Sequence, residues 1–230
     1  MVFGEGPLVV ISPHLDDGVF SCGDALARYP GSTVITVFAG GRHSYETVTP
    51  WDKSSGFRDG DDVVRARRLE DDEALSHLDA AHCWLPFMDA QYGCAVDTET
   101  IAEALCQAIE SLDVSAVLAP IGLFHSDHLL AHEASMRVAD VLRGPAWFLY
   151  ADAIYRAIPG LLKARLDTLR NAGVTIDSIA TDCETTDQKR GAVHAYRSQL
   201  QALAMPGHPG FDDAFRPERY WHIRVPQERR

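Results

Sequence analysis

Two short stretches gather side chains able to hold a cation and to move protons. The first, "PHLDD", sets His14, Asp16 and Asp17 directly after the apolar run "LVVIS". The second, "FHSDHLLAHEA", sets His125, Asp127, His128 and His132 after "SAVLAPIG". His14 and Asp17 are three positions apart where the chain turns into a helix, so both can face one ion. His128 completes a set of two imidazoles and one carboxylate. That donor set, with a position left open for water, is the pattern of catalytic and not structural zinc. Asp16 is then beside the ion without binding it, where a carboxylate serves as general base towards water. His125 can approach the substrate from the opposite side, to steady a developing oxyanion or to protonate a leaving amine. Asp127 can hydrogen-bond one of the imidazoles and fix its tautomer.

Plainer readings exist for each piece. Asp16 and Asp17 can cap the following helix, and histidines near a helix start often bond only to backbone. Both motifs occur after apolar strands of one expected sheet, and their conjunction favours a metal site. His132, one turn beyond His128, is either a fourth ligand or a packed helix residue; a hydrolytic ion needs its open position, which favours packing. His43, His77, His82, His194, His208 and His222 have no motif partners and read as surface or half-buried residues.

The positioning elements follow from the pattern of apolar residues. Residues 7–12, 32–40, 82–87, 115–122 and 146–150 are short apolar runs and predict strands. Residues 17–28, 61–78, 98–111, 128–142 and 186–203 predict helices. Asp61 and Asp62 suit the positive end of a helix dipole, and Ile101, Leu105 and Ile109 fall on one helical face. Strand alternating with helix implies a mostly parallel sheet covered on both faces, a three-layer α/β sandwich. In such a sheet ligands bind beyond the carboxyl ends of the strands, and both polar motifs are expected there. Residues 40–60 read as a long surface loop of functional kind, with Arg42, His43 and Trp51 as candidate substrate contacts. The whole chain reads as one domain, with an irregular extension over 204–230.

The chain has 230 residues, enough for a substantial core. Its 21 basic against 33 acidic residues give a formal charge of −12. Such a balance leaves no cation surplus for nucleic acid or for an anionic membrane surface. No apolar run reaches the length of a membrane span, and the start of the chain lacks the basic region of a secretory signal. The five cysteines are scattered, without a C-x-x-C pair, and read as reduced thiols of a cytoplasmic protein. Each is expected to be a small core hydrophobe.

On the residues Pro13-His14-Leu15-Asp16-Asp17 and His125-Ser126-Asp127-His128, the sequence resembles the PIG-L/LmbE-like family of zinc-dependent N-deacetylases. The stretches "RRLEDDEALSHL" (67–78) and "KRGAVHAYRSQL" (189–200) are weaker family-like features, so the resemblance spans roughly residues 7 to 200. It implies a Rossmann-like α/β sandwich, zinc on His14, Asp17 and His128, and Asp16 as the base. It implies further that His125 steadies the tetrahedral intermediate with Asp127 in support. Zinc is the expected ion, although Fe2+ tolerates the same donors. The resemblance also places Arg67 near the substrate, against the alternative of a surface ion pair with Asp71; Tyr196 is expected to line the pocket. Family members act on small-molecule N-acyl compounds and often assemble as homo-oligomers. The family often reads H-P-D-D-E, whereas this chain carries Leu15 and Gly18. Neither change removes a proposed catalytic group.

The favoured expectation is removal of an N-acetyl or related N-acyl group from an amino-sugar-like or natural-product intermediate. The alternatives are cleavage of a larger acyl or thiol-conjugate amide, and a non-catalytic Rossmann-like module with a structural metal. A nucleotide-binding version of the last is disfavoured, because the turn "SPHLDDG" has no G-x-G-x-x-G and its carboxylates would repel phosphate.

Overall fold

The computed structural model describes residues 2–42, 45–181 and 184–224. In chain order they form β1 (Leu8–Ser12), α1 (Asp17–Arg28), β2 (Thr33–Thr36), α2 (Pro50–Ser54), α3 (Val63–Ser76), β3 (Ala81–Trp84), α4 (Thr98–Glu110) and β4 (Ala116–Pro120). There follow α5 (Ser126–Val141), β5 (Ala146–Tyr150), α6 (Leu161–Asn171), β6 (Thr175–Ile179), α7 (Asp187–Ala195), α8 (Arg197–Leu203) and β7 (Tyr220–Arg224). The strands make one sheet in the order β3-β2-β1-β4-β5-β7-β6. β1 to β5 are parallel, and β7 runs antiparallel between β5 and β6. The expected mostly parallel α/β sandwich is what the chain forms.

Alternating strand residues serve two cores. Leu8, Val10, Val34, Leu118 and Tyr150 pack under α1, α3 and α7. Val9, Ile11, Ile35, Val117 and Leu149 pack under α4, α5 and α6. Both faces of β1 are covered, which is why its first four residues, "LVVI", are apolar throughout and not alternating. Val9, Val10 and Ile11 are fully buried, each contributing about 1.5–3 kcal/mol. Helix starts follow local chemistry: the Asp97 carboxylate accepts the Thr100 N–H at 2.9 Å and that of Asp62 accepts the Arg65 N–H at 3.1 Å.

Several expectations change. Residues 40–60 are not loop throughout: Thr49 and Asp52 form a reciprocal capping box on α2, with Pro50 in its first turn. The helix expected over 186–203 is two, broken at Tyr196, whose backbone (φ −79°, ψ 56°) leaves the helical region. The extension 204–230 is irregular only in part. Tyr220–Arg224 form β7 inside the sheet, because Tyr220, Trp221 and Ile223 have apolar surface that the gap between β5 and β6 buries. Of the cysteines, Cys22 is buried but Cys94 is exposed, and Cys183 lies outside the described residues. Among the described residues no helix is long and apolar enough to cross a membrane.

Strands β2 and β3 lie on one side of β1, and β4 and β5 on the other. The winding therefore reverses between β1 and β4, which opens a crevice beyond their carboxyl ends. Both polar motifs emerge into that crevice.

Candidate metal centre

Asp17 Oδ2 stands 3.1 Å from His14 Nδ1 and 3.1 Å from His128 Nε2. It also accepts the backbone N–H of His14 at 2.9 Å, which locks the carboxylate at the start of α1. His14, Asp17 and His128 thus converge from the β1–α1 and β4–α5 connections, over a hundred positions apart, with donor atoms close enough to share one ion. Donors at zinc–ligand distances of about 2.0–2.1 Å in a tetrahedral set stand roughly 3.4 Å apart, close to the observed spacing. The donor chemistry fits as well. His128 is fully buried, and its Nε2 has no hydrogen-bond partner among the described residues. Its other nitrogen, Nδ1, is held at 2.6 Å by the buried carboxylate of Asp152. A buried imidazole fixed by a carboxylate on one side, and on the other facing a second carboxylate without a hydrogen bond to it, is the arrangement of a metal-ligating histidine.

Asp127 performs the same office for His14. Its Oδ2 lies 3.1 Å from His14 Nε2 and accepts the Ala90 N–H at 3.0 Å. His125 is the N-cap of α5: its Nδ1 accepts the Asp127 N–H at 3.2 Å, and the half-exposed ring turns into the cleft. Asp16 occupies the N-cap position of α1 without any side-chain cap hydrogen bond. The plain capping reading therefore does not hold for Asp16, whose carboxylate lines the cleft beside Asp17. His132 is committed elsewhere, Nδ1 to the Pro120 carbonyl oxygen at 2.9 Å, and packs as a buried helix residue.

The electrostatics are those of a site short of positive charge. Burial alone would push the His14 and His128 imidazoles down, but the surrounding carboxylates outweigh it. Asp89, Asp127 and Asp17 hold His14 well above its ordinary range; Asp17 and Asp152 lift His128 to about 9. Asp17 is held well below the usual carboxylate range, its own burial overcome by His128 and His14. Burial, followed by repulsion from Asp17, pushes Asp16 up to about 7. His125 is pushed down, by burial and then by His14.

The surrounding cleft has a volume of about 580 Å³, in the range of small-molecule sites. Arg67 lines it, nine-tenths buried, but does not pair with Asp71. Its Nη2 lies 2.8 Å from the buried Asp52 carboxylate of α2, so residues 40–60 contribute an anchor. Tyr196 also lines the cleft, and its hydroxyl turns away to donate to Asp71 at 2.7 Å. The Trp51 ring lines the wall that follows β2. Arg42 donates its backbone N–H to the Tyr45 hydroxyl, and His43 lies outside the described residues. At Gly18 a Cβ would stand 3.1 Å from Ser12 Cβ and from Val34 Cγ1, so that position faces the sheet.

Several residues in or behind the cleft belong to no sequence motif. Asp152 follows β5 with no motif around it; Asp89 and Tyr155 come from connections; and His208, read as a surface residue, stands edge-on to Trp51 with ring centroids 5.5 Å apart. Asp152 alone was open to inference, as a carboxylate directly after an apolar strand next to β4.

The family model for PIG-L, GlcNAc-PI de-N-acetylase, matches residues 9–139. A 2'-N-acetylparomamine deacetylase of Streptomyces fradiae is 30% identical, over 85% of this chain and 74% of that protein. Among solved structures, an antimicrobial pseudoaglycone deacetylase superposes with a TM-score of 0.77 at 26% identity, covering 98% of this chain and all of that one. A triple mutant of a deacetylase of the teicoplanin biosynthetic pathway gives a TM-score of 0.77 at 25% identity, covering 97% and 100%. The match over more than half the chain, within which both motifs of the crevice fall, makes this protein a member of the PIG-L family of N-deacetylases.

Proposed function

We infer that this protein is a metal-dependent hydrolase that removes an N-acetyl group from an amino-sugar-like or natural-product intermediate. The observation that carries the reading is the buried His128, with Nδ1 fixed by Asp152 and Nε2 left bare beside Asp17. His14, Asp17 and His128 would hold the ion, zinc by donor type with Fe2+ as the other candidate. An ion held there supplies Lewis acidity towards the acyl carbonyl and towards water. Asp16 takes the proton of the attacking water and passes it to the departing nitrogen, so that water and amide become acetate and free amine. His125, at the cleft wall, donates to the oxyanion that develops on the carbonyl oxygen. Asp127 holds His14 in one tautomer. Arg67 and Tyr196 bind substrate as parts of the wall, the tyrosine through its ring.

Asp16→Asn keeps the shape and removes the base. Acetate release from an N-acetyl substrate is expected to fall about 10²–10⁴-fold; equal rates would end the proposal. The volume of the cleft also favours a second reading, hydrolysis of a longer acyl amide. A preference for long over short acyl groups in the same assay would select it.

A further inference from the structure

Two backbone anomalies lie on one lip of the cleft. Phe124 has φ +63° and Ile154 has φ +71°, the left-handed region that non-glycine and above all β-branched residues avoid. Each is the centre of a three-residue turn closed by a hydrogen bond two residues long. His125 N–H donates to the Leu123 carbonyl at 2.7 Å, and Tyr155 N–H to that of Ala153 at 2.8 Å. γ-Turns with a positive central φ are rare and strained, and strain of this kind persists where function holds it. Both turns serve one object. They bring Phe124 and Tyr155 together as a stacked pair, centroids 5.2 Å apart and planes 25° apart.

The stack is anchored and open. Tyr155 rests edge-on against His128 at 5.0 Å, which ties the pair to the metal centre. Phe124 is 67% exposed, so a ring face remains bare at the mouth of the cleft. Across the crevice, on the wall that follows β2, Trp51 and Phe38 line the same space. Phe38 is buried beside His14, with ring centroids 5.9 Å apart, so aromatic rings line the cleft from the metal centre out to the exposed Phe124.

We propose that the Phe124–Tyr155 pair is a binding platform for an aryl group carried by the N-acylated amino sugar, next to the scissile amide. That the aryl group is carried by an N-acylated amino sugar rests on the deacetylase reading; the stacked pair itself does not. An aromatic pair of this geometry adds about two- to tenfold in affinity beyond area burial.

The test compares para-nitrophenyl β-glucosaminide with methyl β-glucosaminide, both already deacetylated, by calorimetric binding to the metal-loaded protein. The aryl glycoside is expected to bind up to about tenfold tighter. That advantage is expected to shrink below twofold in Phe124→Ala and Phe124→Leu, and to persist in Phe124→Trp. Phe124→Leu keeps bulk without a ring, so it separates stacking from a local collapse. Equal affinity of the wild type for both glycosides, or an advantage that survives Phe124→Leu, overturns the platform. Acetate release from the two N-acetyl forms is measured in parallel. Its absence with the aryl preference intact would defeat the deacetylase reading alone.

Discussion

Asp152→Asn tests the least expected part of the centre. Both carboxylate oxygens of Asp152 are in use: Oδ1 faces His128 Nδ1 at 2.6 Å, and Oδ2 accepts the Gly122 N–H at 3.1 Å. An amide offers one acceptor and one donor. In either orientation it sets an N–H against the Nδ1–H of His128 or against the Gly122 amide. The loss is one charge-assisted hydrogen bond to a buried imidazole, about 1.5–3 kcal/mol. The same cost read as ligand basicity and ring orientation is about 10–100-fold in metal affinity. Competition between the purified variant and a chromophoric chelator measures zinc affinity directly, and acetate release at saturating zinc separates binding from turnover. A D152N affinity within twofold of the wild type would refute the assignment of His128 as a ligand held from behind.

Asp71 accepts from Tyr196 and Trp84 and forms no ion pair among the described residues, and burial pushes its carboxyl up to about 6. A folded-state value above the unfolded 3.8 means that the native state binds the extra proton, so Asp71 costs stability as pH rises from about 4 to 6, up to about 3 kcal/mol. Urea unfolding of wild type and Asp71→Asn is therefore expected to shift in favour of the wild type as pH falls from about 7 to 4.5; a difference independent of pH would contradict this. Glu218 accepts from the Asp24 and Ala25 N–H groups, the Tyr220 hydroxyl and Lys189 Nζ, at 2.6–3.1 Å. Lys189→Met leaves that buried charge without its cation and is expected to cost about 3–5 kcal/mol in urea unfolding. Lys189→Met combined with Glu218→Gln is expected to recover part of the loss. Together with Asp16→Asn, these variants separate chemistry at the cleft from support behind it.

The chemistry was legible where it coincides with a strand end. An apolar run followed at once by His and Asp identifies both the strand and its ligands, and β1 and β4 each supply one such signal. Asp152 sits after β5 in the same way, yet "YADAI" contains a single acid and no histidine. Its meaning depends on β5 lying next to β4, which pairing alone determines. The break at Tyr196 was hidden because "AVHAYRSQL" keeps helical composition across it; the Asp71 carboxylate that fixes Tyr196 lies 125 positions away. β6 was missed for the opposite reason. As an edge strand it reads "TIDSI" and is half exposed, so it carries no apolar run, and α6 was passed over in the same stretch. The γ-turns at Phe124 and Ile154 leave no mark in the sequence at all, since neither residue favours a positive φ.

A crystal of the zinc-loaded protein, with anomalous diffraction recorded at the zinc edge, decides the central claim. A peak within about 2.0–2.2 Å of His14 Nδ1, an Asp17 carboxylate oxygen and His128 Nε2 is the predicted result. A peak bonded to other residues, or chelator-stripped protein that carries no zinc and still releases acetate at the full rate, would contradict it.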